Sequence, residues 1–501
     1  MALVKQLLFS ILTVGYTQIS KKRCGFKQSD GSVSCIIFVA SSMGFLFPVL
    51  ETLESPVTKS FGLYFSIQVL FGCLCFVSSV AWLYLLFRSR RQPELYLNRS
   101  ISVIDPAANI MYVFLIFFTI GIILNQGLNV ILDMTCYIRF VDYHYLCTSI
   151  NRFLEVLFCI FQTLTLIFLT RSRFQNKLEV NYVLAVALIT NGSLWMFTSV
   201  ETGSSSSDNR NKTSEIILCY LESSIYKNIL SPTWKIALQI RINYFLLCLG
   251  MAACTLPTGL SLPETNEALN SSTEMVTIER SGNEEQRTRL PDIVTTFVCL
   301  ASFLPCTVVF VLKKWTCPPE VSSSEYLREW YLPTSTCPMI FLIIAVYRGL
   351  HRIKKYPRER NQCHQTSVKW IFKNDVIFII CLMGDVSRST LTGIGELDQS
   401  FLFLTILLRL CYIFQIFLQT VFLLITERIT LMSFIKLRQV ALYLCVGNLV
   451  IWIYTEYLVK PTTTYTELPP EFEQIMFSLS SMNRFLSFIR SYRIYSLSKS
   501  S

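Results

Sequence analysis

Long apolar runs, separated by short polar and basic stretches, dominate the pattern of the chain. Twelve runs hold about 18 to 25 residues, and a helix of that length crosses a hydrocarbon core of roughly 30 Å at 1.5 Å per residue. They lie near residues 34–53, 61–87, 109–131, 146–170, 180–200, 235–256, 292–312, 331–349, 370–391, 401–426, 439–458 and 472–489. The pattern therefore predicts an all-α membrane protein with about twelve transmembrane helices.

Two stretches of the chain, Asn151–Thr202 and Leu408–Val459, align without a gap when the numbering shifts by 257. The identities include polar residues that are rare and costly inside a membrane. They are Arg152/Arg409, Gln162/Gln419, Thr163/Thr420, Arg171/Arg428, Asn191/Asn448, Trp195/Trp452 and Thr198/Thr455. This match predicts an internal duplication into two homologous six-helix halves. Because each half has an even number of spans, the halves share one orientation and are parallel repeats.

The predicted domain boundaries follow from polar stretches that lack helical periodicity. A basic N-terminal tail covers residues 1–33, and the first six-helix half covers 34–256. Residues 257–291 form a polar linker, and the second half with a short C-terminal tail covers 292–501.

Composition and charge support this class and set a topology. Hydrophobic residues make up 52% of the 501 residues and charged residues only 15%, which is too apolar for a soluble domain. With the N-terminus inside, 27 Lys and Arg residues lie on the inner side and nine on the outer side. The positive-inside rule thus places both termini in the cytoplasm. The net charge of +11 is spread over seven short basic segments, so no nucleic-acid-binding domain is expected.

The topology also assigns the glycosylation sequons. Asn211-Lys-Thr lies in a loop predicted to face outward, whereas Asn98 and Asn270 are predicted to face inward. Among the 18 cysteines, the outward candidates form two pairs, Cys136 with Cys147 and Cys317 with Cys337, and a disulfide within either pair remains open.

Metal-site, nucleotide-binding and soluble-enzyme motifs do not occur in the sequence, and the three His residues are scattered. We therefore expect no metal, no cofactor and no enzymatic activity.

Two amides stand at similar depth on neighbouring antiparallel spans. Gln162 lies nine residues, or roughly 13 Å, above Arg171, and Asn191 lies twelve residues, or roughly 18 Å, above Glu179. Gln419 and Asn448 repeat this arrangement in the second half. A Gln or Asn offers both a donor and an acceptor without charge, so each pair suits either a proton pathway or an interhelical hydrogen bond.

Helical spacing predicts partners for the charged residues within the spans. Arg152 and Glu155 lie three residues apart on one helical face and are expected to pair. Asp385 and Arg388 have the same spacing, which suits a buried ion pair or a titrating pathway residue. Arg484 lies inside the last span.

The sequence leaves two interpretations for other polar and aromatic residues within the spans. The cluster of Asn125, Gln126 and Asn129 suits helix contact or pore lining. The repeated residues Trp195 and Trp452 suggest packing or interface anchors.

Several of these motifs resemble the otopetrins, a family of twelve-span proton channels. The segments are QTLTLIFLTR followed by ITNGSLW, and LQTVFLLITER followed by VGNLVIW, each giving Gln-Thr on one helix and Asn-x-x-x-Trp on the next. FLFPVLETLES resembles the family's first span, and Asn483-Arg484-Phe485-Leu486-Ser487 resembles its final Tyr-Arg-Phe-His-Ser. Asn483 and Leu486 depart from the family's Tyr and His, which makes the second half the weaker candidate for conduction.

The resemblance implies a homodimeric, proton-selective channel of the plasma membrane that responds to external acid. Its pathway would include Gln162, Asn191, Gln419, Asn448, Asp385 and Arg484. Its partners would be protons and membrane lipids, with sterol as a candidate. Two alternatives remain, a solute or proton-coupled transporter and a non-conducting scaffold of the same fold, and proton current without added solute separates them from the channel.

Overall fold

The structure of the protein is a computed structural model in which the described part is almost entirely helical. It describes residues 61–92, 97–98, 106–141, 143–168, 173–174, 178–204, 219, 222–255, 282–316, 324–354, 373–395, 402–426, 434–454 and 470–500. The predicted first span at 34–53 lies outside the described residues, as do Asn211, Asn270 and Cys317.

Eleven α-helices of 20 to 35 residues build the fold within these ranges. They are α1 Phe61–Arg91, α2 Pro106–Phe140, α3 Tyr143–Phe168, α4 Leu178–Ser204, α5 Ser231–Thr255, α6 Gly282–Thr316, α7 Ser324–Lys354, α8 Lys373–Gly395, α9 Leu402–Thr426, α10 Phe434–Ile453 and α11 Pro470–Ser500. A helix satisfies its own backbone hydrogen bonds, which a segment in hydrocarbon must do. Strands β1 Leu97–Asn98 and β2 Arg173–Phe174 form one short antiparallel pair.

Six described helices are long and apolar enough to cross a membrane, namely α1, α2, α3, α4, α6 and α9. A seventh is α5 together with the segment before it, which bends by 49° between Tyr226–Trp234 and Ile236–Ala252. The π-helix Tyr226–Leu230 and Pro232 both lie in the first of these two parts. The chain is thus a helical, multi-pass membrane protein, while the number of twelve spans stays a prediction.

The surface of these helices fits a hydrocarbon environment. Large apolar side chains stand exposed along them, for example Val113 at 65% and Phe297 at 72%. Exposed apolar surface of this extent is unfavourable in water, whereas in a bilayer it contacts lipid tails.

The contacts divide the chain into two compact units. The first, unit 1, is Met1–Ile104 with Met111–Glu274, and the second, unit 2, is Asp105–Ile110 with Met275–Ser501. In unit 1, α1 packs on α3 and α4, and α4 packs on α5. In unit 2, α11 packs on α8 and α10, and α7 packs on α6, α9 and α10. The homology of two halves and their exact boundaries stay predictions.

The core of unit 2 is apolar, with a polar tie at one end. Buried side chains from α6, α7, α9 and α10 meet in this core, among them Cys299, Leu342, Phe422 and Leu444. At the tie, Asp292 of α6 accepts hydrogen bonds from Arg438 of α10 at 2.5 Å and from the Tyr495 hydroxyl of α11 at 2.9 Å. One carboxylate therefore joins three helices.

Close packing of α8 on α11 predicts a strong effect of one methyl group. A Cβ at Gly384 would lie 2.8 Å from Leu479 Cδ1 and closer still to Leu479 Cβ. Gly384→Ala should therefore lower the thermal stability of the purified protein, since overpacking costs about 1 to 3 kcal/mol. Gly250→Ala on α5 is the control, because a Cβ there meets nothing within 4 Å. Equal melting temperatures for the two variants would contradict this packing.

Candidate functional site

The amides Gln162 of α3 and Asn191 of α4 lie in direct contact inside unit 1, and both are fully buried. Gln162 Nε2 donates to Asn191 Oδ1 at 3.0 Å, and Asn191 Nδ2 donates to Gln162 Oε1 at 3.1 Å. Asn191 Nδ2 also donates to the carbonyl oxygen of Ala187 at 2.7 Å. The pair is therefore bonded reciprocally and joins two helices.

Buried hydroxyl groups next to this amide pair join α3 to α2 and α5. Thr163, next to Gln162, has its Oγ1 2.8 Å from Thr119 Oγ1 of α2 and 3.0 Å from the Tyr244 hydroxyl of α5. The Tyr244 hydroxyl also donates to the carbonyl oxygen of Cys159 at 2.9 Å. These three hydroxyls are buried and connected through Thr163, so the interior of unit 1 holds a second polar group beside the amide pair.

Unit 2 contains a longer chain of amides in which every donor points the same way. Arg484 Nη1 of α11 donates to Gln415 Oε1 at 3.0 Å, and Gln415 Nε2 donates to Gln419 Oε1 at 2.7 Å. Gln419 Nε2 then donates to Asn448 Oδ1 at 2.9 Å, and Asn448 Nδ2 ends the chain on the carbonyl oxygen of Leu444 at 2.6 Å. The chain connects a guanidinium to the second amide pair across α11, α9 and α10.

Asp385 of α8 is fully buried beside Arg484 and is held by several donors. Its carboxylate accepts hydrogen bonds from the Tyr412 hydroxyl at 3.1 Å, Ser480 Oγ at 2.7 Å and Asn483 Nδ2 at 2.9 Å. Arg484 Nε lies 3.6 Å from Asp385 Oδ2, and the Arg484 guanidinium lies 4.5 Å from the centre of the Tyr412 ring. Asp385 therefore gathers side chains from α9 and α11.

Of the two interpretations of Asp385 and Arg388, the ion pair between them is wrong, and a pathway role for Asp385 stays a prediction. Arg388 donates to Ser480 Oγ at 3.3 Å, and its guanidinium lies 4.4 Å from the ring centre of Phe477. The guanidinium beside Asp385 is that of Arg484 instead of Arg388. Arg484 reaches the carboxylate because α11 packs against α8.

The expected pairing of Arg152 with Glu155 is also wrong. Arg152 Nη1 lies 2.7 Å from Asp133 Oδ2 of α2, while Glu155 receives two hydrogen bonds of 3.0 Å from Arg241 of α5. A separation of three residues places two side chains on one side of a helix, but partners from neighbouring helices compete for each of them.

A polar cavity of about 80 Å³ lies within unit 1, between α1, α2, α3, α4 and α5. The predicted cluster of Asn125, Gln126 and Asn129 lines it. Gln126 Nε2 donates to Glu155 Oε2 at 3.2 Å, so this amide also contacts a neighbouring helix. The helix contact is thus confirmed for Gln126, while pore lining stays a prediction.

A disulfide joins Cys136, near the end of α2, to Cys219. The pairing of Cys136 with Cys147, which the sequence left open, does not form, since Cys147 is a free thiol. Cys337 is also free and exposed, and its candidate partner Cys317 lies outside the described residues. Leu132, Tyr145 and Leu230 pack around the disulfide, which fastens the segment before α5 to α2.

The repeated tryptophans lie inside the units. Trp195 is buried, and Trp452 Nε1 donates to Ser481 Oγ at 3.2 Å while its ring packs 5.1 Å from the ring of Phe485. Trp452 therefore fastens α10 to α11 as a packing residue. Arg409 is half-buried on α9.

Sequence reasoning missed Gln415, Tyr412 and Arg241 as members of these networks. Signals in the sequence could have found two of them. Gln415 stands four residues before Gln419 on one face of an apolar helix, and Tyr412 occupies the same position of the repeated stretch as Glu155.

Comparison with known proteins assigns neither a family nor a function to the chain. No protein-family model matches the chain, and no curated protein matches it. Within the described residues, no group of three or more His, Cys, Asp or Glu side chains is placed to hold a metal ion. Any functional interpretation rests on the buried polar groups themselves.

Proposed function

We propose that the protein is a proton-selective channel and that it has twelve spans in two parallel homologous halves. One observation carries the proposal, the buried Gln–Asn contact between neighbouring helices that is found in both units, Gln162 with Asn191 and Gln419 with Asn448. Amides can exchange hydrogen bonds with water in either direction, so they can order water for proton transfer. A metal cation that loses its hydration shell finds no charged ligand in the amide pair itself.

The two amide pairs differ in their hydrogen bonding. The amides of the first pair bond to each other in both directions, so conduction there requires the pair to separate and admit water. The second pair continues through Gln415 to Arg484. Among the described residues, the buried atoms Arg484 Nη2, Asn483 Oδ1 and Ser487 Oγ have no hydrogen bond. Buried polar groups of this kind are usually satisfied by ordered water, which supports a hydrated path in unit 2.

The proposal extends to location and assembly. The resemblance to otopetrins supports a plasma-membrane homodimer that responds to external acid, with cytoplasmic termini and with lipid partners that include sterol as a candidate. The disulfide between Cys136 and Cys219 fits this topology, because disulfides persist in oxidising compartments and both cysteines belong to the predicted outer side. Whole-cell recording with the proton as the only permeant cation tests the proposed activity.

A non-conducting scaffold is the second candidate, because the reciprocal bonding of Gln162 and Asn191 is also what two helices need to stay together. Such bonds are worth about 0.6 to 2 kcal/mol each in membranes. Substitution of the pair separates the two functions, since only the channel loses current per surface molecule.

The topology makes a prediction about glycosylation. Asn211 should carry a glycan, while Asn98 and Asn270 should not, because only the first sequon is predicted to face the lumen during synthesis. Treatment with a glycosidase should therefore shift the mobility of the wild-type protein but not of Asn211→Gln. A mobility shift that depends on Asn98 or Asn270 would contradict cytoplasmic termini.

A further inference from the structure

Gln415 of α9 stands at the point where the two amide pairs differ. Its Nε2 donates to Gln419 Oε1 at 2.7 Å, one helical turn further along the same face. In unit 1 the corresponding oxygen, Gln162 Oε1, instead accepts from Asn191 Nδ2 at 3.1 Å. Among the described residues, Gln419 and Asn448 therefore share one hydrogen bond, whereas the first pair shares two.

The direction of the hydrogen bonds in unit 2 is fixed at both ends. A guanidinium can only donate, so Arg484 Nη1 requires the oxygen of Gln415 to face it. Gln415 then presents its NH₂ group to Gln419, and Gln419 presents its own to Asn448. At the other end, the carbonyl oxygen of Leu444 can only accept, and it receives Asn448 Nδ2. Turning any of these amides breaks at least one hydrogen bond.

Unit 1 has an apolar residue at the position of Gln415. The repeat shift of 257 places Phe158 there, and this phenylalanine is fully buried on α3. Its side chain has no N–H or O–H group, so Gln162 Oε1 is left to Asn191 Nδ2 and the first pair closes in both directions. The asparagine of each pair also donates to the carbonyl oxygen four residues earlier, so this end is the same in both units.

The second pair is left with an unused donor. A side-chain amide nitrogen carries two N–H groups. Asn191 uses both, within its pair and on a backbone carbonyl, whereas among the described residues Asn448 uses only the one on a backbone carbonyl. In the described part of unit 2, Thr420 Oγ1 is also buried without a hydrogen bond, whereas Thr163 at the same repeat position meets two hydroxyls. Buried polar groups of this kind are satisfied by ordered water, which the first pair does not need.

We infer that Gln415 is a positioning residue that holds the second amide pair open, so that water binds the unused N–H of Asn448. This inference rests on the proposed function and adds its regulation. Protons reach the second pair through water that is already in place, while the first pair must open before water enters. Gln415 acts through Gln419, and Arg484 fixes Gln415 in turn.

Two substitutions at Gln415 test this role in the full-length protein. Gln415→Met removes the N–H groups from an unbranched side chain, while Gln415→Glu keeps an acceptor for Arg484 but, as a carboxylate, donates nothing to Gln419. In both variants Asn448 Nδ2 should gain Gln419 Oε1 as an acceptor, which closes the second pair in the same way as the first. Gln415→Glu keeps the test decisive when loss of the Arg484 bond prevents Gln415→Met from folding.

Solid-state NMR of the protein in lipid, with isotope-labelled asparagine and sequential assignment, measures the contact with water. The side-chain amide of wild-type Asn448 should give a cross-peak with water, and that of Asn191 should give none. Both substitutions at Gln415 should abolish the Asn448 cross-peak. Gln474→Met is the matched control and should keep it, because Gln474 is a buried glutamine of unit 2 outside the amide chain. A merely structural role of Gln415 would lower stability without moving this cross-peak.

Proton current per surface channel gives the second readout. In the background of Gln162→Leu with Asn191→Leu, the current that remains belongs to unit 2. Both substitutions at Gln415 should lower it by about threefold to thirtyfold, the factor that one interhelical hydrogen bond contributes to an equilibrium in a membrane. Gln474→Met should leave it unchanged. An unchanged current in folded Gln415 variants that have lost the cross-peak would refute the regulation.

The remaining outcomes separate this inference from the proposed function. A wild-type Asn448 without the water cross-peak, or a cross-peak that survives both substitutions at Gln415, overturns the inference. A wild type without proton current whose cross-peak depends on Gln415 refutes the channel and leaves the positioning role. A wild type with proton current whose cross-peak does not depend on Gln415 refutes the positioning role and leaves the channel.

Discussion

Asp385→Leu is expected to destabilise the protein by about 3 to 5 kcal/mol, because it leaves the Arg484 guanidinium buried without its carboxylate. Arg484 is 1% exposed, so the positive charge cannot reach solvent. Three further donors, from Tyr412, Ser480 and Asn483, lose their acceptor at the same time. Thermal unfolding of the purified protein and its amount at the cell surface should both reveal the loss.

Two variants control this result. Asp385→Leu combined with Arg484→Leu removes both charges and should regain most of the stability, because an apolar pair of similar volume can replace a buried ion pair. Glu222→Leu removes the carboxylate of an exposed ion pair and should change stability little. Wild-type stability of Asp385→Leu would show that the Arg484 charge has another acceptor.

Replacement of both amides of the first pair should abolish most proton current through unit 1 while the protein still reaches the surface. Gln162→Leu with Asn191→Leu removes the donors and acceptors together, so neither amide is left buried without its partner. The loss of stability should stay small, since each interhelical bond is worth about 0.6 to 2 kcal/mol. The measurement is proton current divided by the number of surface channels.

Thr190→Val is the matched control for this pair. Thr190 is buried one residue before Asn191, and its hydroxyl donates within α4 to the carbonyl oxygen of Val186. It should leave current per channel unchanged. Gln419→Leu with Asn448→Leu then assigns the share of unit 2. A first-pair variant with fewer surface molecules but unchanged current per channel would identify these amides as structural contacts.

The depth of the amides could be predicted because it depends only on the sequence. Residue counts from Arg171 and Glu179 place Gln162 and Asn191 at similar heights on antiparallel helices, and the structure joins them by two hydrogen bonds. The shift of 257 predicts the corresponding contact of Gln419 and Asn448. Their role in proton transfer stays a prediction.

The partners of the charged residues could not be predicted, because they depend on which helices pack together. Spacing along one helix favoured Arg152 for Glu155, but the guanidinium that binds Glu155 is Arg241, 86 residues away. The disulfide could not be predicted for the same reason, since Cys136 and Cys219 are separated by 83 residues. Local periodicity gives the side of a helix on which a residue lies, and tertiary packing decides what meets it there.

Whole-cell recording with the proton as the only permeant cation tests the central claim most directly. With external pH stepped from neutral to about 5, cells that express the protein should show an inward current. Its reversal potential should move by about 59 mV for each unit of pH, the value for a single transferred charge. Untransfected cells provide the background. A protein that reaches the surface but carries no current above this background, or a reversal potential that follows another ion, would contradict a proton-selective channel.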